Sequence, residues 1–147
     1  MTTKPNDALA ILKLYELRSE PVMRQARSWF FSEFAPKSGL EILALMQSGE
    51  MESAFYRMVS SHWDIASALV NQGGIDEAMF LAANTEHLVV FAKLQPFLKE
   101  IRETIGEPDY LTNLEQLVRR VENVEKKLEN RRRLLDRWTN RAAASAN

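Results

Sequence analysis

Cysteine is absent from the 147 residues. That excludes a disulfide framework, a thiolate zinc site, an iron–sulfur cluster and a cysteine nucleophile, and it fits a reducing compartment. Histidine occurs only at His62 and His87. The five glycines, Gly39, Gly49, Gly73, Gly74 and Gly106, form neither a Walker loop nor a dinucleotide fingerprint. No Gly-x-Ser-x-Gly elbow is present. The helix-borne metal signatures His-Glu-x-x-His and Glu-x-x-His are also missing. Apolar runs such as Leu88 to Ala92 are short, whereas a membrane span needs about 20 residues. Met1 to Ala10 holds Lys4, Pro5, Asn6 and Asp7, which reads as no secretory signal. These absences lead us to expect a cytoplasmic, non-enzymatic protein without a cofactor and without a membrane partner.

What is present points to helices. Hydrophobic residues make up 46% of the chain, enough for a core. Asn6 or Asp7 can cap a first helix with Leu9 and Leu12 as apolar positions. Pro21 suits the first turn of a second helix, in which Val22, Ala26, Trp29, Phe30 and Phe34 recur at helical spacing. Ser38 with Glu41 reads as a capping box. From about Glu50 to Asn71 a stripe of Phe55, Met58, Val59, His62, Ala66 and Leu69 is widened by Tyr56, Trp63 and Val70. Its breadth places this helix near the centre. Pro96 falls inside a later helical pattern, which it must kink or split. The expected fold is all-α: a bundle of five to seven helices ending in a long heptad-bearing helix.

That last helix is expected over about 109–138. Leu114, Leu117, Val121, Val124, Leu128, Arg131, Leu135 and Trp138 alternate in steps of three and four, a heptad seam with one charged interruption. The charge is also uneven. Residues 1–118 carry a net charge of −6 and residues 119–147 a net of +5. We read a bundle over 1–108, an amphipathic helix with a basic end over 109–141, and a disordered tail over 142–147. The seam from Leu111 to about Val121 suits docking on the domain's own surface, whereas the remainder of such a long helix should project or meet another chain. The seam residues Leu117, Val121, Val124, Leu128, Leu135 and Trp138, with Arg131, Arg132 and Arg133, are the expected interaction surface. The expected partner is a second copy, most simply in a dimer, or an unidentified protein.

Several segments resemble a family of small bacterial all-helical cytoplasmic proteins that is uncharacterised. They are Leu14-Tyr15-Glu16-Leu17-Arg18 followed by Pro21-Val22-Met23-Arg24, then Ala54 to Val59 with Trp63-Asp64. Asn71 to Asp76 and Asn84-Thr85-Glu86-His87 before Gln95-Pro96-Phe97 continue it. The resemblance covers roughly 9–118 and stops before the basic heptads. It implies a helical domain and carries no assigned activity or site residues.

Three groups of residues offer chemistry beside a structural role. Arg57 and Asp64 sit seven apart on one helix face with Ser60, Ser61 and Ser67 nearby. This polar strip lines a cleft or, as we favour, holds the helix in register. His62, Glu86 and His87 would meet as metal ligands only if two helices packed face to face. Adjacent residues on a helix point about 100° apart, which weakens that reading. The run Arg131 to Arg133 with Arg137 and Arg141 could neutralise the phosphates of a nucleic acid. Glu122, Glu125, Glu129 and Asp136 are interleaved with it and the body is acidic, so a solvated helix face or an acidic partner fits better. Phe31 falls off the stripe of Trp29, Phe30 and Phe34 and is expected to face a partner or the last helix.

Overall fold

Two helices of this chain begin at a side-chain cap. A computed structural model describes residues 4–146. In it Ser38 Oγ accepts from the Glu41 N–H at 3.1 Å, and Asp76 Oδ2 accepts from the Met79 N–H at 2.9 Å. Each satisfies an orphan donor of a first turn. These open α3 (Gly39–Gln47) and α5 (Glu77–Ala83). Pro21 opens α2 (Pro21–Ser32), which follows α1 (Lys4–Arg18). The others are α4 (Met51–Asn71), α6 (Glu86–Ile105), α7 (Thr112–Arg119) and α8 (Val124–Ser145). Gly106 ends α6 at φ 69°, a left-handed conformation that costs glycine nothing. The described residues form eight helices and no strand. The all-helical class is as expected. The count exceeds five to seven, because the expected last helix is two.

The centre of the fold is α4. It packs against α2 and α7 and touches α3, α5 and α6. Its buried face is Phe55, Tyr56, Val59, Ser60, Trp63, Ala66, Ser67 and Val70. The stripe is thus rotated towards its widening residues, and Leu69 is exposed. A similar rotation affects α1, which buries Asp7, Ile11 and Leu14 and exposes Leu9 and Leu12. The apolar residues of α1 lie on both its sides, so periodicity alone could not choose between them. Asp7 decides it: its Oδ2 accepts from the Asp76 N–H at 2.8 Å and draws that face inward.

The last helix breaks at residues 120–123. Arg120 is held at the end of α7 by Glu77 (2.7 Å) and by the side chain of Asn71 (2.6 Å). Asn123 then takes a left-handed φ of 56°, which asparagine tolerates better than most residues. The turn sends α8 back across α6 and α2. Leu128 and Leu135 are buried there, and Trp138 meets the Phe31 ring at 6.0 Å. A long continuous helix would have left them in water, at about 1.5–3 kcal/mol for each large side chain. Residues 142–145, read from the sequence as a disordered tail, continue α8; Asn147 lies outside the described residues.

Pro96 does not split α6, which runs unbroken through it. Proline lacks the N–H that would bond the Ala92 carbonyl one turn back. Arg132 of α8 fills the gap: its Nε donates to Ala92 O at 3.0 Å, and its Nη2 donates to Gln95 Oε1. We expect Arg132→Met to destabilise the fold by about 1–3 kcal/mol, the cost of an orphaned buried acceptor. In a Pro96→Ala background, where residue 96 supplies its own N–H, the same substitution should cost clearly less. Urea unfolding of the four proteins in this double-mutant cycle measures the difference. Equal costs in both backgrounds would refute the compensation.

Candidate interaction surface

The residues read from the sequence as an interaction seam are distributed by the fold between core and surface. Leu114, Leu117 and Leu128 are fully buried, Leu135 nearly so, and Val121 and Val124 pack against the core from its edge. Trp138 is half-buried on Phe31. In this structure the seam is thus largely occupied by the chain's own helices. Alternating threes and fours also suit a helix packed on its own domain.

The arginine triplet is dispersed as well. Arg132 is committed to α6, and Arg133 pairs with Glu129 at 2.8 Å. Arg131 is half-buried and close enough to His87 to act on it electrostatically. What α8 presents outward is a stripe with Lys127, Asn130, Arg131, Leu134, Arg137 and Arg141 at helical spacing. Residues of this stripe line a shallow groove of about 410 Å³. Lys126, Lys127, Arg131, Arg137 and Arg141 have no ion-pair partner among the described residues.

A complementary surface lies elsewhere. Glu33, Glu41, Glu50 and Glu52 surround a hollow of about 280 Å³ that also exposes part of Trp29 and Leu45. The elements supplying it are the end of α2, α3 and the start of α4. Among the described residues only Glu41 of the four has a bond on its carboxylate, accepting from the Lys37 N–H at 2.8 Å. No run of acidic residues in the sequence marks this hollow, because its members are separated by up to nineteen positions.

Arg57 and Asp64 of the polar strip each bond to a neighbouring element. Asp64 supplies the cap that α7 lacks, since Leu111 precedes α7 with a left-handed φ of 56° and no side-chain cap. Asp64 Oδ1 accepts from the Leu114 N–H at 3.0 Å, and Oδ2 accepts from Asn113 Nδ2 at 3.2 Å. Arg57 donates to the Met46 carbonyl at the end of α3. Together they hold α4 in register with its neighbours. They also line a cleft of about 550 Å³ with Tyr110 and Ile65. Beneath it the Tyr56 and Tyr110 hydroxyls share a hydrogen bond of 2.6 Å. Burial raises the pKa of both, so both stay protonated.

Glu86 is a structural knot rather than a metal ligand. It accepts from Arg27 Nε at 2.9 Å and Nη2 at 2.6 Å, from Arg18 at 3.3 Å and from Trp63 Nε1 at 3.4 Å. One carboxylate at the start of α6 thus joins the end of α1, α2 and α4. With its oxygens engaged by two guanidinium groups, it does not combine with His62 and His87. Among the described residues no group of three His, Cys, Asp or Glu side chains is placed to hold a metal ion. His87 lies fully buried between the rings of Phe80 (5.3 Å) and Trp63 (5.9 Å), and neither ring nitrogen has a hydrogen-bond partner. Burial, with Arg131 adding to it, lowers its pKa from 6.5 to about 4. Burial also lowers that of His62, against the opposing pull of Glu86.

This fixes the sign of an acid dependence. The native state keeps His87 neutral where the unfolded chain protonates it, so stability is full above about pH 6.5 and falls towards pH 4. We expect the wild type to lose about 2 kcal/mol through this group between pH 7 and pH 5. His87→Leu should remove that part of the slope, as read by urea unfolding at the two pH values. An unchanged slope in the variant would contradict a neutral, buried His87.

A family model described as a domain of unknown function, DUF4760, matches residues 5–121. The match spans α1 to α7 and stops before α8. No curated protein and no solved structure matches the chain. The chain belongs to the DUF4760 family.

Proposed function

We propose that this DUF4760 member is a non-enzymatic interaction module that self-associates electrostatically, the basic stripe of α8 seating on the Glu33–Glu41–Glu50–Glu52 hollow of a second copy. The observation that carries the reading is the row of unpaired cations on α8 in a chain whose remaining residues are net acidic. Such a separation of charge favours association between unlike surfaces. Stripe and hollow are different patches, so two copies exchanging both contacts close as a dimer. The polar groups that might have served chemistry are instead engaged in joining helices, Glu86 to two arginines and Asp64 to α7. A nucleic acid is the competing ligand for the stripe. The commitments of Arg132 and Arg133 weaken it, since two of the three consecutive arginines already have partners.

Surface ion pairs contribute about 0–1 kcal/mol each and are screened by salt. We therefore expect light scattering at micromolar protein to show twice the 16.9 kDa chain mass in about 0.01 M salt. The mass should fall to that of the monomer in about 1 M salt, where the Debye length is about 3 Å. A Lys127→Glu, Arg137→Glu, Arg141→Glu variant should be monomeric in both. A wild type that is monomeric at low salt contradicts the reading, as does a dimer that survives high salt. Retention of RNA by the wild type at physiological salt and not by the variant would assign the stripe to nucleic acid instead.

A further inference from the structure

The fold-back of α8 creates a second concavity, independent of the stripe. It lies between the end of α2, the middle of α6 and the far half of α8, and holds about 430 Å³. That is within the range of about 300–1,000 Å³ typical of small-ligand sites. Its walls are mostly apolar, from Phe34, Pro36, Pro96, Phe97 and Leu135. Its polar lining is Lys93 of α6 with Arg132, Asp136, Thr139 and Asn140 of α8.

Lys93 is the unusual group. Its ammonium donates to the Phe30 carbonyl and sits 5.3 Å and 5.2 Å from the Phe30 and Phe34 ring centroids. No carboxylate among the described residues lies within ion-pair distance of it. An ammonium has three donors, so two remain for the cleft. Arg132 uses Nε and Nη2 on α6 and keeps Nη1. The charged groups facing Lys93 from α8 are Arg132 and Asp136; the residues that line the cleft from the segment after α2, Phe34 to Pro36, are apolar. Asp136 also lines the cleft; it is exposed, lies beyond ion-pair distance of Lys93 and raises the Lys93 pKa through space. Burial lowers the Lys93 pKa to about 8, the mark of a cation short of a counter-ion.

We propose that this cleft is a binding site for a small carboxylate with an apolar body, the carboxylate bridging Lys93 Nζ and Arg132 Nη1 and the body lying against Phe34, Phe97 and Leu135. A neutral ligand of the same shape gains the apolar contacts but leaves Lys93 unpaired. An inorganic anion pairs Lys93 but leaves the walls wet. The amphipathic carboxylate satisfies both. Charge-assisted hydrogen bonds in such a sheltered setting are about twice as strong as neutral ones.

Octanoate and octanol separate charge from apolar burial with one chain length. Titrated into the isotopically labelled full chain near pH 7, octanoate should shift the amide signals of Lys93, Phe97 and Thr139. Octanol should bind at least about tenfold more weakly, a difference of about 1.4 kcal/mol. Lys93→Met, which keeps the length and removes the charge, should abolish the preference for octanoate. Thr139→Trp, which fills the mouth and keeps both cations, should abolish binding of both compounds. The proposal fails if octanoate and octanol bind alike, if Lys93→Met retains the preference, or if millimolar octanoate moves none of these signals. The light-scattering result on the stripe has no bearing on this outcome, since none of the three lysine and arginine positions changed there lines the cleft.

Discussion

Pro96 leaves the Ala92 carbonyl of α6 without its helical donor, and Arg132 of α8 supplies one. Much of the molecule's outer form follows from that contact. It sets α8 against α6 at one height, which puts Leu128 and Leu135 into the core and Trp138 on Phe31. With that face buried, Lys127, Arg137 and Arg141 point to solvent. The same docking closes one side of the Lys93 cleft. A defect in one helix therefore determines what the other shows to its surroundings.

The interior obeys a second constraint, the need to satisfy charge away from water. Glu86 sits where α1, α2, α4 and α6 approach one another, and two arginines and an indole N–H converge on it. Removing one member of such a set leaves the others buried and uncompensated, which costs more than the set itself contributes. Asp64 and Asp7 do related work, each accepting a backbone N–H of another element. His87 departs from this: neither of its buried nitrogens has a partner, and it stays neutral among aromatic rings; His62 Nε2 and Arg102 Nη2 are likewise buried without one. The residue types that look like catalytic material in the sequence are, in space, largely the means by which short helices are joined.

The helical class, the central α4 and the capping of α3 were legible because each depends on residues within a few positions of one another. The polar strip was legible too, as the spacing of seven between Arg57 and Asp64 is a property of one helix. The dispersal of the Arg131–Arg133 triplet was not, because it depends on what α6 places opposite each arginine. Burial of the seam was legible as one of two alternatives, and the choice for Leu128 and Leu135 depends likewise on what α6 and α2 place opposite them. Asn123 is the local signal for the break, yet asparagine also occurs within helices, and its left-handed φ follows from Arg120 being held by Glu77 and Asn71. The acidic hollow and the Lys93 cleft bring together residues far apart in the chain, which no periodicity records.

The central claim is that α8 belongs to its own domain and leaves only its basic face for others. Amide hydrogen exchange at Leu128 and Leu135, followed across a range of protein concentration and salt, tests it most directly. Local opening governs such exchange. The account predicts protection comparable with Leu94 and Ile101 of α6, and the same protection in dilute and concentrated samples and at low and high salt. Weak protection in dilute samples that rises with concentration would show that the seam is buried between chains, and would contradict the account.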